Sequence, residues 1–581
     1  MGSRYYFSEP LPKFSGIFHS SKNYFMIRIP SSLCRFLSQF AFPPVLFSFI
    51  ILFFLQTKIS VALPPPDDSV NCEPAMSIQW QKSLGGSKKD TPWDLCTLSS
   101  GGCVVVGQSA STNGDVNHSR GVTDYWVIKL DSLGNIVWNN SFGGTSKDEA
   151  YAVEACTDGG FIVAGGTRSK NLDVTNNHGA YDFWIVKLKS NGSLDWQKSF
   201  GGPDIDVAYD VKQTTDGGYI AVGYAKSKTG DVTSQKGKGD YWIVKMDGLG
   251  NMQWQKSYGG SQYDFAHAVA LTADGGYLVS GYARSGDGDV NGNNGEEDLW
   301  LIKLDGNGNL IWQSRYGDEG GEGTTTLALM NDGIIYSVGI SHSNEGLSQE
   351  TNGAHDYWLV KMDSSGVLEW TRCFGGTASD DPQYMAPFGT NQFILAGNSS
   401  STDKKVCTNH GGDDGWLLAV DSSGNMLWQI SLGGTLNESA NAVEPTTDGG
   451  FLVACNSNSN NGDVSGNHGN DDYWIVKLRP VAQRIVIVSD DAVDVAQTST
   501  IRFYPNPGTG NFTVEFSDGA DTENGTVELF SMDGRLVFSS SLEFASGKAP
   551  LTIDRNVAGG YYFAKVTAGN RVYVHPLLLK R

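Results

Sequence analysis

A repeat of 58 residues runs through two thirds of the sequence and limits what it can fold into. One tryptophan recurs with this spacing at Trp126, Trp184, Trp242, Trp300, Trp358, Trp416 and Trp474. A second tryptophan keeps the same spacing at Trp80, Trp138, Trp196, Trp254, Trp312, Trp370 and Trp428. Because the seven copies contain no insertion or deletion, one supersecondary unit is stacked seven times along the chain.

Each copy is predicted to contain four short antiparallel strands. In the second copy these strands are residues 150–156, 161–166, 182–188 and 194–200. Asp-Gly and Gly-Asn pairs at the short connections favour tight hairpins, because Gly and Asn readily adopt positive φ. Seven such units predict an all-β fold with a seven-bladed β-propeller at residues 76–480. We expect the orphan strand around residues 78–81 to complete the last blade and close the ring.

The segment that contains the second tryptophan carries a first family resemblance. Residues 130–138, Leu-Asp-Ser-Leu-Gly-Asn-Ile-Val-Trp, resemble the tryptophan-docking repeats of quinoprotein-like propellers. The resemblance covers about ten residues per repeat and implies a shared packing chemistry. It does not imply a bound quinone, because nothing else in the chain matches the cofactor pocket of that family. Those quinoproteins usually have eight blades, whereas seven are counted in this sequence.

The last 81 residues, 501–581, carry three further motifs in order. Residues 504–514 read YPNPGTGNFTV, residues 527–537 read VELFSMDGRLV and residues 559–566 read GGYYFAKV. Together they resemble the C-terminal sorting domain of the type IX secretion system of Bacteroidetes. Alternating strands broken by Gly-rich turns also predict a small β-sandwich here. An accessory immunoglobulin-like module without an export role is the alternative.

This resemblance implies both a route out of the cell and a set of motif residues. They are Tyr504, Pro505, Asn506, Pro507, Gly508, Gly510, Gly534, Gly560 and Tyr561. The implied route passes through the periplasm and across the outer membrane by the type IX secretion machinery. Removal of the domain and either surface attachment or release would follow. The expected location is therefore the outer cell surface or the medium.

The N-terminal residues 1–62 are predicted to be a signal peptide. Arg28 and Arg35 precede an apolar run at residues 40–55, and residues 60–62 supply the small side chains that a signal peptidase recognises. Linkers are expected at residues 63–75 and 481–500.

Two alternatives stay open for the N-terminal segment. Met26 can be the true start, because the region before it is unusually long and basic. A membrane anchor is the other alternative, although Pro43 and Pro44 interrupt a run that is short of the roughly 20 apolar residues a span needs. No transmembrane segment is expected in the mature chain.

Charge narrows the range of partners. The chain has 42 Lys and Arg against 63 Asp and Glu, a net charge of −21. Without the six basic residues and one acidic residue of 1–62, the net charge is −26. Such a surface repels the phosphates of nucleic acids, so no nucleic-acid partner is expected. It is compatible with divalent cations and with neutral partners.

The cysteines show no common position within the repeat. After residue 62 they are Cys72, Cys96, Cys103, Cys156, Cys373, Cys407 and Cys455. A disulfide framework or a zinc site needs a regular spacing, and none is present. Buried free thiols are therefore the expectation. A bridge between Cys96 and Cys103, which flank a predicted hairpin turn, is the alternative.

The long loop between the second and third strands of each repeat carries acidic residues. Asp115, Asp173, Asp231, Asp289 and Asp463 occupy the same position in five repeats. Carboxylates and carbonyls in Gly-rich loops suit Ca²⁺, which makes these five residues candidate ligands and Ca²⁺ the candidate cofactor. Asp and Asn also bond to neighbouring backbone N–H groups, and this structural interpretation is preferred.

Uniform repeats favour a binding or adhesion scaffold for extracellular glycans or proteins, because equivalent loops suit multivalent recognition. No catalytic triad, metalloprotease motif or nucleotide-binding loop is present, which favours a role other than catalysis. The alternative is a polysaccharide-degrading hydrolase or lyase at the fifth and sixth repeats. There the in-phase Asp becomes Leu347 and Lys405, and residues 323–326 and 380–382 depart from the pattern. A structural envelope protein without a ligand is a third alternative.

Overall fold

The computed structural model describes residues 72, 75–481 and 501–580, apart from short gaps. These gaps are residues 293–295, 331, 343–346, 348–352, 390, 507, 517–524, 532–535, 554–555 and 569–570. The predicted signal peptide and most of both predicted linkers lie outside the described residues. The described part of the chain contains no α-helix and 35 β-strands, which confirms the all-β prediction.

Seven separate four-stranded antiparallel sheets account for the repeats within the described residues. The chain begins with β1 (Met76–Leu84), which joins the last of them. Sheet 1 contains β2 (Asp90–Thr97), β3 (Cys103–Ser109), β4 (Asp124–Leu130) and β5 (Ile136–Phe142). Sheet 2 contains β6 (Asp148–Ala155), β7 (Phe161–Thr167), β8 (Asp182–Leu188) and β9 (Leu194–Phe200). Sheet 3 contains β10 (Asp206–Gln213), β11 (Tyr219–Ala225), β12 (Asp240–Met246) and β13 (Met252–Tyr258).

The remaining sheets follow the same order. Sheet 4 contains β14 (Asp264–Leu271), β15 (Tyr277–Ala283), β16 (Asp298–Leu304) and β17 (Leu310–Tyr316). Sheet 5 contains β18 (Glu322–Leu329), β19 (Ile335–Ser341), β20 (Asp356–Met362) and β21 (Leu368–Phe374). Sheet 6 contains β22 (Asp380–Phe388), β23 (Gln392–Ser399), β24 (Asp414–Asp421) and β25 (Met426–Leu432). Sheet 7 contains β26 (Glu438–Pro445), β27 (Phe451–Ser457), β28 (Asp472–Pro480) and, as its fourth strand, β1.

The pairing of β1 with β28 joins the two ends of the repeat region. Ser77 lies opposite Arg479 and Leu84 lies opposite Tyr473. The first strands of the sheets also contact one another in sequence order from β2 to β26, and β26 contacts β2. The edge that sheet 7 would leave without a fourth strand is therefore covered by the N-terminal strand, as the sequence analysis expected.

The third strand is an inner strand of each sheet, and nearly all of its side chains are buried. All seven tryptophans of the third strands are fully buried, and each lies in an apolar cluster shared by neighbouring sheets. The second tryptophan of each repeat packs against the following sheet. A Cβ on Gly134 would lie 2.8 Å from the Trp80 ring, so this turn, at φ 78°, needs glycine.

Two smaller antiparallel sheets form the C-terminal region. One contains β29 (Ile501–Tyr504), β30 (Asn511–Phe516) and β33 (Lys548–Thr552). The other contains β31 (Gly525–Ser531), β32 (Leu536–Leu542), β34 (Gly560–Ala568) and β35 (Arg571–Leu579). Phe503, Val514, Val527 and Ala564 belong to one buried cluster that spans both sheets. This two-sheet arrangement agrees with the predicted sandwich.

One disulfide differs from the expectation of free thiols. Cys72, just before β1, is bonded to Cys407 in the long loop of sheet 6, across 335 residues of sequence. Cys72 precedes the repeats and Cys407 lies in the sixth, so no repeat spacing predicts their contact. Cys96 and Cys103 are free thiols and are not bridged to each other.

Candidate functional site

A buried acid begins the first strand of every sheet and fastens the loops around it. In sheet 2 the carboxylate of Asp148 accepts hydrogen bonds from Gly144 N at 2.8 Å and from Ser169 Oγ at 2.7 Å. It also accepts a bond from Thr167 Oγ1. The equivalent residues are Asp90, Asp206, Asp264, Glu322, Asp380 and Glu438. These buried hydrogen bonds therefore hold the loops around the start of each first strand in fixed positions.

A second buried acid begins each third strand. In sheet 1 this is Asp124, whose carboxylate lies close to that of Asp148, the first-strand acid of sheet 2. Asp124 Oδ2 accepts bonds from the backbone of the long loop, at Arg120 N and Gly121 N. Asp124 Oδ1 is buried without a hydrogen-bond partner in the described residues. A Cβ on Gly143 would lie 2.4 Å from this oxygen and 2.6 Å from Asp148 Oδ2, so the two carboxylates flank a glycine.

Burial changes the protonation of these third-strand acids. Burial, together with the nearby carboxylate of Asp148, raises the pKa of Asp124 to about 6. Burial likewise raises the pKa of Asp182 to about 6 and that of Asp240 to about 7. These carboxylates therefore titrate near neutral pH rather than near pH 4.

The five candidate calcium ligands each hold a loop against the preceding strand. Asp173 N donates to Gly143 O at 3.2 Å, and Asp173 Oδ2 accepts from Gly143 N at 3.2 Å. Asp115, Asp231, Asp289 and Asp463 make the same pair of bonds to Gly85, Gly201, Gly259 and Gly433. Bonds of this kind, between an aspartate and neighbouring backbone groups, are what the structural interpretation of these residues predicts.

The structure does not bring the five aspartates together, since each lies in the loop of a different sheet. Three of them lie beside basic side chains: Arg120 Nη1 lies 2.7 Å from Asp173 Oδ2, His178 Nδ1 lies 3.9 Å from Asp231 Oδ2, and Lys236 forms an ion pair with Asp289. Where side chains are described, no group of three or more His, Cys, Asp or Glu residues could hold a metal ion. Calcium binding therefore stays a prediction.

A β-bulge in every first strand produces a feature that the sequence analysis missed. The ladder between β2 and β3 shifts register between Pro92 and Asp94, which leaves Trp93 at the bulge. The bulge residues of the seven sheets are Trp93, Tyr151, Tyr209, His267, Thr325, Gln383 and Asn441. Bulges redirect side chains and recur beside functional sites.

The rings of the bulge residues in sheets 1 to 4 contact one another in sequence order, and we call them the aromatic arc. The ring centroids of Trp93 and Tyr151 are 5.6 Å apart, and those of Tyr151 and Tyr209 are 5.3 Å apart. Tyr209 and His267 are stacked at 5.0 Å. All four residues remain partly exposed although their strands contact one another.

Charged residues on β2, β6, β10 and β26 follow the bulge residues of those strands by one to three positions, and we call them the acidic layer. It contains Asp94, Glu154, Asp210 and Glu444 with one basic residue, Lys212. Lys212 Nζ lies 3.1 Å from Asp210 Oδ1, and Tyr384 Oη donates to Glu444 Oε1 at 3.3 Å. Asp94 and Asp210 also accept bonds at 2.8 Å from the backbone N–H groups of Val153 and Val269 in the next sheets.

Sheets 5 and 6 hold an acid–histidine pair where the sequence pattern departs most. His355 Nδ1 lies 3.0 Å from Asp381 Oδ1. The His355 and His342 rings are 4.1 Å apart. Burial first, and then the His355 ring, lowers the pKa of His342. Asp380, which precedes Asp381, is the buried acid that begins the first strand of sheet 6. Like Asp148, it accepts hydrogen bonds from the surrounding loops, here from Gly376 N and Ser401 Oγ.

The predicted sorting motif joins the start of the C-terminal region to its last strand. Asn506 Oδ1 accepts a bond from Leu578 N at 2.9 Å, and Gly508 N donates to Leu578 O at 3.0 Å. Ile553 N donates to Gly510 O at 2.7 Å. The Tyr504–Pro505 peptide is cis. Gly560 and Tyr561 begin β34. Pro507 and Gly534 lie outside the described residues.

This C-terminal region agrees with a known family. Residues 502–580 match the secretion system C-terminal sorting domain. The protein is exported through type IX secretion to the cell surface or the medium, and the type IX machinery is its partner in that step. Where the chain is described, no helix has both the length and the apolar character needed to cross a membrane.

The chain also has weaker relatives. Over 163 residues, 26% of its length, it is 30% identical to the regulatory protein FlaEY of Caulobacter vibrioides, and the match spans 17% of that protein. A solved mutant of puromycin hydrolase complexed with PGG is 10% identical with a TM-score of 0.39, over 75% of this chain and 60% of that chain. A mutant of Synechocystis apocarotenoid oxygenase is 11% identical with a TM-score of 0.33, over 67% and 89%. Similarities with such low coverage, sequence identity or TM-score do not indicate a function for this chain.

Proposed function

We propose that residues 76–480 form a closed seven-bladed β-propeller that serves, after export, as a binding scaffold for extracellular glycans or proteins. In this proposal residues 1–62 are the signal peptide and residues 501–581 are the type IX sorting domain. The long loops between the second and third strands provide the binding face. The scaffold is attached to the cell surface or released.

Ring closure is supported by bonds between the first and last sheets that repeat those between consecutive sheets. Asp148 N donates to Thr123 O at 2.9 Å, between sheets 2 and 1. In the same position, Asp90 N of sheet 1 donates to Asp471 O, just before β28 of sheet 7, at 2.7 Å. Asn441 Nδ2 of sheet 7 also donates to Pro92 O of sheet 1 at 2.7 Å.

One observation supports the binding role: buried hydrogen bonds hold the equivalent long loops of several sheets in place. Asp148 and its equivalents, the buried acids that begin the first strands, fix the turns before those strands. Asp173 and its equivalents bond the long loops to the same turns. Loops held in this way lose little conformational entropy when they meet a ligand, which favours affinity. Several equivalent loops on one face also allow multivalent contact with a repeating glycan or protein.

A glycan-array screen of the exported protein, with Ca²⁺ and with chelator, tests the proposal. Selective binding that a chelator abolishes would support a calcium-dependent glycan scaffold. Binding that ignores the chelator would support the scaffold and leave the loop aspartates structural. If no glycan binds, surface proteins cross-linked to the intact exported chain should identify a protein partner. Failure of both experiments would contradict the proposal.

The loop aspartates can be separated into metal ligands and loop anchors by substitution. Asp173→Asn keeps an oxygen that accepts the Gly143 N–H bond but removes the charge that Ca²⁺ needs. If the residue is a calcium ligand, the variant should weaken calcium-dependent binding without changing the melting temperature. Asp195→Asn, at a partly exposed strand position away from the long loops, is the matched control.

A hydrolase or lyase acting on polysaccharides is the second candidate, and the Asp381–His355 pair favours it. An imidazole whose Nδ1 faces a carboxylate has its Nε2 available as a general base. The pair lies in the region where the sequence departs from the repeat. Release of reducing ends from a polysaccharide panel by the exported protein, lost in His355→Ala, would support this candidate. Unchanged activity in the variant would remove the pair from consideration.

A further inference from the structure

Two histidines, His342 and His355, meet at one end of sheet 5, and we call them the histidine pair. The ladder between β19 and β20 ends where Ser341 lies opposite Asp356, so the two histidines occupy the next position on each strand. Side chains that lie opposite each other on neighbouring antiparallel strands are close enough to interact. The two imidazole rings have centroids 4.1 Å apart.

The same two positions hold an interacting pair in two other sheets, but not a second pair of histidines. In sheet 2, Arg168 Cζ lies 4.9 Å from the centroid of the Tyr181 ring. In sheet 4, Arg284 forms an ion pair with Glu297. The remaining sheets carry Ala110 and Thr123, Lys226 and Gly239, Ser400 and Asp413, and Asn458 and Asp471. Two imidazoles therefore occupy these positions once, so a ligand that needs both has one site per molecule.

A carboxylate fixes the ring of His355. Its Nδ1 lies 3.0 Å from Asp381 Oδ1. An ionised carboxylate only accepts hydrogen bonds, so Nδ1 carries the proton and, in the neutral ring, Nε2 has the free lone pair. The backbone is held as well, because Asp380 N donates to His355 O at 2.8 Å across the junction of sheets 5 and 6. A histidine that binds a metal ion usually has such a carboxylate on its other ring nitrogen.

The second histidine, His342, is held by its backbone and lies among acids. Its backbone N–H donates to Gly321 O at 3.2 Å, at the junction of sheets 4 and 5. The residue is exposed, so an ion can reach it from solvent. The carboxylates of Glu297, Glu322 and Asp381 lie near enough to act on the charge of the His342 ring. A cation bound at this ring would meet their negative charge.

We propose that the histidine pair binds a divalent transition-metal ion, for which Zn²⁺ is the probe, through one nitrogen of each imidazole. Two nitrogens that each bind one Zn²⁺ at about 2.1 Å are within about 4.2 Å of one another, so two imidazoles on one ion must be close neighbours. The rings of the histidine pair are such neighbours. The described residues supply no group of three His, Cys, Asp or Glu ligands, so water molecules complete the coordination.

The imidazole ligands distinguish this site from the candidate calcium ligands in the long loops. Ca²⁺ binds oxygen ligands, whereas imidazole nitrogen suits Zn²⁺, Cu²⁺ and Ni²⁺. The histidine pair includes none of the loop aspartates, so the metal site does not depend on the scaffold function proposed above. It does exclude the general-base role of His355 in the second candidate function, because an Nε2 that binds a metal ion cannot accept a proton.

Calorimetric titration of the exported protein with Zn²⁺, alone and in excess Ca²⁺, tests the site. We expect one Zn²⁺ to bind at the histidine pair and Ca²⁺ to leave its affinity unchanged. His342→Ala and His355→Ala should each weaken binding by about tenfold or more, and Asp381→Asn, which keeps an acceptor oxygen, should weaken it about tenfold. No Zn²⁺ binding at millimolar concentration, displacement by Ca²⁺, or an affinity that none of the three variants changes would overturn the proposal.

His410→Ala is the matched control. His410 Nδ1 also lies beside a carboxylate, that of Asp414 at 2.6 Å, and the side chain is 39% exposed against 35% for His355. It belongs to no histidine pair among the described residues, so the control should leave Zn²⁺ affinity unchanged. A loss as large as that in His355→Ala would contradict the assignment.

A spectroscopic measurement on the unaltered protein does not depend on the folding of a variant. With one equivalent of Cu²⁺, the electron paramagnetic resonance spectrum should show coupling to two imidazole nitrogens, because imidazole is a preferred ligand of Cu²⁺. His342→Ala should reduce this coupling to one nitrogen. A spectrum of the unaltered protein without coupling to two nitrogens would overturn the proposal.

Discussion

Tyr473 Oη, in the last repeat, donates a hydrogen bond to the backbone carbonyl of Trp126, in the first, at 3.1 Å. The same bond joins neighbouring sheets at Tyr125 and Trp184, and again at Tyr241 and Trp300, each 59 residues apart. The closing bond spans 347 residues. The junction between the first and last sheets thus uses the chemistry of the internal junctions.

Removing this hydroxyl tests whether the ring is closed in solution. Tyr473→Phe leaves the buried Trp126 carbonyl without this donor and should lower the free energy of unfolding by about 1 to 3 kcal/mol. Tyr241→Phe removes the equivalent bond between sheets 3 and 4 and is the matched control. Equal losses, measured by chemical denaturation, would agree with closure. A loss in the control alone would mean that the first and last sheets do not meet.

The strands could be predicted from sequence because their signals are local and repeated. Alternating apolar residues and Asp-Gly turns identify β6 to β9 within one copy, and the 58-residue spacing transfers them to the others. The aromatic arc was not predicted, because a bulge arises from pairing between two strands. Comparing the residues in phase with Trp93 would have shown four rings followed by Thr, Gln and Asn.

The burial of the acids that begin the first and third strands could not be predicted from the sequence. Asp124 and Asp148 look like loop residues in the sequence, and both are buried once two sheets meet. The Cys72–Cys407 bridge was missed for a related reason, since Cys72 precedes the first repeat and Cys407 lies in the sixth. Contacts between distant segments carry no local signal.

The buried acids that begin the third strands should make the free energy of unfolding fall as pH rises toward neutrality. Burial, with the Asp264 charge, raises the pKa of Asp240 from 3.8 to about 7 in the folded protein. The folded state therefore holds a proton that the unfolded state has lost, so the stabilisation is complete below about pH 4 and is lost as pH rises through about 7. Asp240→Asn, with a neutral amide, should raise stability at pH 8 by about 1 to 3 kcal/mol.

Melting temperatures between pH 4 and pH 8 check this expectation. The slope should be smaller in Asp240→Asn than in the unaltered protein. Asp195→Asn, at a partly exposed position, is the control and should leave the slope unchanged. A variant that is destabilised equally at every pH would show that Asp240 is needed as a carboxylate for its bonds to the loop rather than as a titrating group.

The disulfide should stabilise the repeat region by restricting the unfolded chain. Cys407→Ser opens a bridge that spans 335 residues and should lower the free energy of unfolding by about 2 to 4 kcal/mol. A reductant should lower the stability of the unaltered protein by the same amount and have no further effect on the variant. Sensitivity to reductant that persists in the variant would point to a different bridge.

The C-terminal region should be needed for export but not for folding of the repeats. Ile501 to Leu579 have their own buried cluster, and the seven repeat sheets are completed without any of these strands. A chain that ends at residue 500 should therefore accumulate, folded, in the periplasm. Cell fractionation combined with limited proteolysis measures both location and folding. A protease-sensitive chain in the periplasm would show that the repeats need the C-terminal sheets, whereas normal export would show that residues 501–581 are dispensable for sorting.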